Sequence, residues 1–507
     1  MSYFNPLRSL FSKLTLQQRW LLLTFMGLKI ALLWFVPLTG DEAYFILWGQ
    51  ELSLGYYDHP PAVGWVLYLL SGIADNLVVY RSFAFFAAIT IAFLLYQTLR
   101  LHPKVEQTTA FYVAMAFLVS PISLMFVVTA NDTVLVFFSV LGFFYYAKTL
   151  AQPTVVNALL AGLFLGMAFL SKYFAVFMLL GLFAYSLIYI KQYGWKLISL
   201  MVVIVLLFVA ENLYFNATHC WNNILFNFFS RTTQSTFEID NIVSYIAMII
   251  ALLSPLGLYY LAQQAKRAQD LTLLPVMRQV LFASLPLLSV LLLVSLTNPV
   301  GLHWPLLAVT LLYVLYALLP QQKLEALYLF NGYSSVVIGI TLLIALGFVN
   351  QLIPATQKHH VAVYTQPEKV CALLPKSTFF TLGYSSQSAL SYHCQNDDIH
   401  VFMSVSKFGR EDDKKTDFKA MAGQDLKVFV TDEKEIKKMR PFFENLAVET
   451  LQITDEVTYY LVEGKNFNYG LYREQILKVV NENFYTAPEW FPKCSASCGF
   501  KEKYDFK

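Results

Sequence analysis

Two adjacent carboxylates, Asp41 and Glu42, follow the first long apolar run, in Thr39-Gly-Asp-Glu-Ala-Tyr-Phe45. Charge at a bilayer edge is costly unless it is solvated or useful. The pair therefore reads either as a source of a general base or as a solvated turn. A third carboxylate, Asp58, lies in Gly55-Tyr-Tyr-Asp-His-Pro-Pro61. The prolines restrict themselves and the residue before them, so Asp58 and His59 sit on a stiff loop. From chemistry alone the catalytic and solvated-loop readings are even. Asp132 comes from Thr129-Ala-Asn-Asp-Thr133, where Asn-Asp is also ordinary turn chemistry. The matching cations are Arg81, Lys172 in Leu170-Ser-Lys-Tyr173, and Arg231. Arg231 closes an aromatic loop from Asn212 that holds His219, Trp221 and Asn222. A phosphate or pyrophosphate handled beside these acids would draw on those cations. The competing reading has Arg81 and Arg231 snorkelling to lipid head groups. His303-Trp-Pro305 reads as a helix end in which the histidine only caps structure. Lys29, inside the first apolar run, fits either a buried pair or snorkelling.

The elements that must position these groups follow from composition. Of 507 residues, 57% are hydrophobic and 14% charged, with a mean hydropathy of +0.53. Soluble domains carry about 25% charged residues, so a soluble enzyme is disfavoured. The 43 Phe, 31 Tyr and 8 Trp exclude disorder, and a net charge of +3 makes no case for nucleic acid. Residues 1–350 hold 16 Lys+Arg and 12 Asp+Glu, whereas 351–507 hold 20 and 21. A bilayer span takes about 20 apolar residues. The chain thus reads as a multi-pass α-helical membrane domain, 1–352, followed by a soluble extracytoplasmic α/β domain, 353–507. Eleven apolar stretches predict eleven transmembrane helices: near 20–38, 80–99, 108–128, 133–150, 155–171, 173–190, 197–215, 241–262, 279–297, 302–319 and 328–350. The shorter run Pro61–Ala74, interrupted by Gly64 and Gly72, reads as an interfacial or re-entrant helix. Tyr44–Leu54, with Ile46, Leu47 and Leu54 on one side, reads as an interfacial helix. That would put Asp41 just before it and Glu42 in its first turn. No small-residue cleavage site follows the first run, so it is expected to stay as an anchor.

Direction comes from Lys and Arg. Twelve of the 16 basic residues in the front part fall on the side of the N-terminus; Arg81, Lys172 and Arg231 fall opposite, and Lys29 lies within the first span. The N-terminus is expected in the cytoplasm and the tail outside. The acids are skewed the other way: Asp41, Glu42, Glu51, Asp58, Asp75, Asp132, Glu211, Glu238 and Asp240 fall at the outer face. A functional site there would account for this, as would simple avoidance of Lys and Arg. The expectation is an outer-face cavity lined by Asp41, Asp58, Asp132, Lys172 and Arg231. In the tail, strands are predicted at Thr378–Tyr384, Ile399–Val405, Leu426–Thr431 and Val457–Glu463, and helices at Glu433–Phe443 and Tyr472–Phe484. Among the five cysteines the favoured pairs are 371–394 and 494–498. A metal site is less expected, because the terminal Cys-x3-Cys has no second thiol pair beside it.

Taken in order, Asp-Glu after the first span, Gly-Tyr-x-Asp-His-Pro-Pro, Arg81, the Asn-Asp turn and Leu-Ser-Lys-Tyr resemble a known family over the whole chain. They look like bacterial GT-C-fold membrane glycosyltransferases that use polyprenyl-phosphate sugars, such as protein O-mannosyltransferases and lipid A aminoarabinose transferases. Gly383-Tyr-Ser-Ser-Gln-Ser-Ala-Leu-Ser-Tyr392 resembles the outer domain of such enzymes. The resemblance implies an inverting transfer of sugar from a polyprenyl (undecaprenyl) phosphate to an envelope acceptor, lipid A or another glycan, at the outer face of the inner membrane. Asp41 matches the family's base position; it would deprotonate the acceptor hydroxyl, or hold the acceptor if that is already an anion. Glu42, Tyr57, Asp58, His59, Arg81, Asp132, Lys172 and Arg231 would bind substrate, with Lys172 and Arg231 on the leaving phosphate and Arg81 behind them. The family often has Glu-Lys-Pro-Pro where this chain has Asp58-His59-Pro60-Pro61. Asp58 with His219 would hold a divalent metal ion, or Asp58 would contact a sugar hydroxyl. Expected partners are the lipid-linked donor, a lipid or glycan acceptor and membrane lipids. The alternatives are a protein O-glycosyltransferase, a lipid-linked glycan polymerase or ligase, and a lipid-sugar transporter or flippase.

Overall fold

The computed structural model describes residues 10–230, 237–267, 274–492 and 498–506. The chain forms a multi-pass helical membrane protein with a small C-terminal sheet. Among the described residues, six helices are long and apolar enough to cross a bilayer: Leu16–Phe35, Leu77–Arg100, Asn131–Ala151, Lys196–Thr218, Pro275–Ser295 and Gln321–Gly347. The 241–262 stretch is not one straight helix. Ile239–Leu252 and Pro255–Lys266 meet at a bend of 84°. Pro255 supplies no N–H to carry the ladder across, and Ser254 sits at φ +67°, which ends a right-handed helix. Shorter apolar helices occupy the other four stretches: Gln107–Leu118, Val155–Phe169, Ala175–Ile188 and Leu306–Leu318. The Pro61–Ala74 run holds the ten-residue helix Ala62–Ser71, about 15 Å long at 1.5 Å per residue, half a bilayer core.

The chain divides into two compact units. The first comprises residues 1–35, 74–210 and 234–344. Its core is a set of packed apolar helix faces, with Ala84, Ile91, Val134, Ala158 and Leu287 fully enclosed. Lys29 takes neither of its expected roles. It is buried and donates to the Ser123 carbonyl at 2.7 Å, with the Phe85 and Phe126 rings each 5.8 Å away.

The second unit gathers residues 36–73, 211–233 and 345–507. Its frame is a five-stranded sheet in the order β2-β1-β3-β5-β4, made of β1 (Phe379–Thr381), β2 (Ile399–Val401), β3 (Leu426–Val430), β4 (Asn445–Thr454) and β5 (Val457–Lys465). β1 pairs in parallel with β2 and β3; β5 pairs antiparallel with β3 and β4. The helix Tyr384–Cys394 makes the β1–β2 crossover, as parallel pairing demands. β4 was not foreseen. It is an edge strand with only Leu451 and Ile453 buried, so it lacks the apolar alternation of the others. Phe402, Phe418, Phe443, Phe467 and Tyr472 stack into the core under the sheet.

The disulfides correct one expectation. Cys371 pairs with Cys394 as expected, tying the helix Pro367–Leu373 to Tyr384–Cys394. Cys498 pairs not with Cys494 but with Cys220, 278 residues earlier. Cys494 lies outside the described residues. The sequence pairing rested on nearness along the chain, while the fold sets Cys220 and Cys498 with Cα atoms 5.1 Å apart, inside the range a bridge needs. Non-reducing peptide mapping is expected to recover Cys220 linked to Cys498. Cys498→Ser is expected to cost about 2–5 kcal/mol of stability. A recovered 494–498 link would overturn this pairing.

Candidate active site

The first loop is built by capping and close packing. The helix runs Gly40–Trp48, earlier than the expected Tyr44–Leu54. Thr39 is the N-cap and accepts from the Glu42 backbone N–H at 3.2 Å. Thr is a strong cap, so the helix starts before the acids instead of after them. Both Asp41 and Glu42 fall in its first turn, where negative charge suits the helix dipole. They part company in burial: Glu42 is 2% exposed, whereas Asp41 is exposed. Nor is the helix a surface element. Ala43, Tyr44, Phe45, Ile46 and Trp48 are buried, and Leu54 lies beyond its end and is exposed.

Asp41 Oδ1 accepts the Tyr384 hydroxyl at 2.7 Å. Tyr384 opens the crossover helix. The two helices meet at Gly40: a Cβ there would lie 2.9 Å from Ser385 Cα and overlap its side chain. Burial, then the Asp41 charge, raises the Tyr384 pKa well above its ordinary value. The phenol therefore stays a donor to Asp41 at neutral pH. Asp58 also acts on Tyr384 and on Tyr44, whose ring lies 5.1 Å from that of Tyr384. The acids at 41 and 58 thus share one aromatic neighbourhood.

The second loop is fixed by the backbone of the 409–411 segment. Asp58 is buried, and its Oδ2 accepts from the Gly409 N–H at 3.4 Å. Gly409 adopts φ +72°, and a Cβ would overlap Tyr384, so only glycine suits the position. The Tyr57 N–H donates to Glu411 Oε2 at 2.6 Å, and the Glu411 N–H donates to the Tyr44 hydroxyl at 3.2 Å. From another side, Asn223 and Asn227 donate to the Tyr56 and Asp58 carbonyls, both at 2.8 Å. His59 is buried among Phe45, Trp48 and Phe226. Tyr57, also in this loop, is 1% exposed.

His219 directs Nδ1 to the Phe215 carbonyl at 2.9 Å and stacks on that ring. Among the described residues, no three His, Cys, Asp or Glu side chains gather to hold a metal ion. The donor set falls short of a metal centre, and no step below runs through one.

The first unit holds the other group of site residues. Lys172 Nζ contacts both Asp132 oxygens, at 2.8 and 2.9 Å. Asp132 lies in the first turn of Asn131–Ala151, and Lys172 in the short link between Val155–Phe169 and Ala175–Ile188. Both are buried, and the ammonium stands 4.9 Å over the Phe174 ring. His303 was expected only to cap structure. Its Nε2 lies 3.7 Å from Asp132 Oδ2, with half of its side chain exposed. Arg81 is fully enclosed and donates to the Leu33 carbonyl at 2.7 Å, so it does not snorkel. Arg231 lies outside the described residues.

Sequence reasoning missed Tyr384, His303 and the 409–411 segment as parts of these groups. For Tyr384 a signal existed, since it stands in the Gly383–Tyr392 segment. His303 and Gly409 become visible only through tertiary contact.

Residues 58–215 match a family model described as dolichyl-phosphate-mannose-protein mannosyltransferase. A lipid A galacturonosyltransferase, RgtD of Rhizobium johnstonii, is 28% identical over 185 residues; these cover 35% of this chain and 38% of that protein. The chain thus spans well under half the length of the curated relative it matches. ArnT from Cupriavidus metallidurans, solved bound to undecaprenyl phosphate, superposes with a TM-score of 0.62 at 11% identity, covering 87% of this chain and 97% of that one. Its apo form gives 0.61 at 12% identity, with 88% and 98% covered. That likeness covers most of both chains and shows that this chain shares the fold of ArnT.

Proposed function

We propose that the protein is an inverting glycosyltransferase that moves a sugar from a polyprenyl-phosphate carrier to lipid A or another envelope glycan. The observation that carries this reading is the Asp41–Tyr384 contact: an exposed carboxylate, held by a half-buried phenol, on the helix that follows the first span. The match to a protein named as a lipid A galacturonosyltransferase and the fold shared with ArnT support it.

In this mechanism Asp41 takes the proton of the acceptor hydroxyl. The oxygen attacks C1 of the sugar from the face opposite the phosphate, and a new C1–O bond forms as the bond to the phosphate oxygen breaks. The polyprenyl phosphate departs with the electron pair. A phosphate ester is a stable anion, so the leaving group needs charge stabilisation more than a proton. Lys172 supplies that charge, with Arg81 and Arg231 as further cations; Asp58 and His59 bind the sugar, and Glu42 and Tyr57 complete the binding residues. Residues 1–352 form the membrane domain and 353–507 the extracytoplasmic one, with the N-terminus in the cytoplasm of a plasma-membrane protein.

The family description favours one other reading, a protein hydroxyl as acceptor. Mass spectrometry of envelope lipids and of secreted proteins from a deletion strain separates the two. Loss of a sugar-modified lipid A or glycan species is the expected result. Loss of protein O-glycans with unchanged lipids would replace the acceptor, and accumulation of donor lipid on the cytoplasmic leaflet would indicate a flippase.

A further inference from the structure

The second unit contains a cavity of about 250 Å³, lined in part by Tyr57, Arg410, Asp413, Lys414, Tyr485 and Lys503. At about 30 Å³ per water-sized group, it has room for several such groups. Arg410 Nε and Nη2 each hold an Asp413 oxygen at 2.6 Å, and the Tyr485 hydroxyl donates to the same carboxylate at 2.8 Å. Asp413 is thereby neutralised and its oxygens occupied. Burial opposes the Arg410 charge, but Asp413 outweighs it and keeps the guanidinium pKa raised.

Lys503 is held differently. Its ammonium donates to the carbonyls of Asp413, Lys414 and Thr416, each at 3.0 Å. Carbonyls fix the side chain in place without cancelling its charge. Burial lowers its pKa, opposed by Asp417, Asp413 and Asp412. Lys414 lies on the same wall but already pairs with Glu411. An independent observation points the same way. The Tyr57 side chain is 1% exposed, and among the described residues its hydroxyl has no hydrogen-bond partner. Burial raises its pKa, so it remains a donor. An enclosed donor without an acceptor is costly, and here it stands on the wall of a cavity that Lys503 also lines.

We propose that this cavity is a subsite for an oxyanion, a phosphate or carboxylate group, carried by the acceptor. Lys503 supplies the charge and Tyr57 the hydrogen bond. The proposal rests on the transferase reading, because it assigns the anion to the acceptor.

The test uses the full-length chain in detergent, with Lys503→Ala and Tyr57→Phe. Each variant is expected to raise the acceptor KM about tenfold or more; in Lys503→Ala, kcat and donor KM stay within about twofold. Inorganic phosphate should compete with acceptor, not with donor, and lose that effect in Lys503→Ala; acetate in its place probes a carboxylate. An acceptor stripped of both phosphate and carboxylate groups, used with unchanged KM, would mean that the cavity takes free anions only, and would overturn the assignment to the acceptor. So would an unchanged acceptor KM in a folded Lys503→Ala protein, or competition with donor. Should no lipid acceptor be used at all, the transferase reading fails instead. Calorimetry with inorganic phosphate then judges the cavity alone: binding lost in both variants retains an anion site, and no binding to the unaltered protein removes it.

Discussion

Asp41→Asn is expected to leave the protein folded and able to bind donor lipid while transfer falls at least about a hundredfold. Thr39 caps the helix, so neutralising Asp41 removes no cap. The asparagine amide oxygen still accepts the Tyr384 hydroxyl that now sits 2.7 Å from Oδ1. What disappears is the one exposed carboxylate of the pair, and with it the proposed proton acceptor. Glu42 is 2% exposed within the same turn, so Glu42→Gln should act first on stability and lower the thermal midpoint more than Asp41→Asn does. Tyr384→Phe removes the hydrogen bond but not the base and is expected to cost about tenfold in kcat. Transfer and thermal melts on the three purified variants check this ordering. Asp41→Asn with nearly full turnover, beside a folded but inactive Glu42→Gln, would move the base to Glu42.

What the sequence disclosed and what it hid divide along physical lines. Apolar run length is a local property, so every stretch marked in the sequence contains a helix. The bend at Ser254–Pro255 was written in the proline, yet hydropathy averaged over the run conceals it. β4 was hidden because an edge strand with one covered face keeps residues such as Glu449 and Gln452 exposed, and those mute the alternating signal. In the site, the stiff Asp58–Pro61 loop was legible from its prolines. The start of the neighbouring helix was misplaced because Asp41 is as good a cap as Thr39 by type; only the Thr39–Glu42 hydrogen bond decides between them. The Arg410–Lys414 run, Arg-Glu-Asp-Asp-Lys, places five charged residues in a row. In the fold, Arg410 is 7% exposed and pairs with Asp413 at short range, which no spacing rule separates from a surface pair.

Lys172 carries the other large expected effect. Its side chain is 6% exposed and that of Asp132 13%, at 2.8 Å. Removing one partner of a buried pair leaves a bare charge and typically costs about 3–5 kcal/mol. Lys172→Met is therefore expected to lose both stability and transfer, and alone it cannot tell structure from function. The double variant Lys172→Met with Asp132→Leu can. Replacing both partners by apolar groups is often close to neutral for stability, so the thermal midpoint should recover. If the pair were only structural, turnover would recover with it. The proposed role requires a cation for the departing phosphate, and losing one such group costs about 10²–10³-fold in kcat. A protein that melts like the parent but transfers at least about a hundredfold slower is the expected outcome. His303, 3.7 Å from the same carboxylate, adds a control: His303→Ala leaves the Lys172–Asp132 contact in place and should reduce transfer far less. Full turnover in the double variant would remove Lys172 from the chemistry and leave the pair as a clamp between a helix start and an interhelical link.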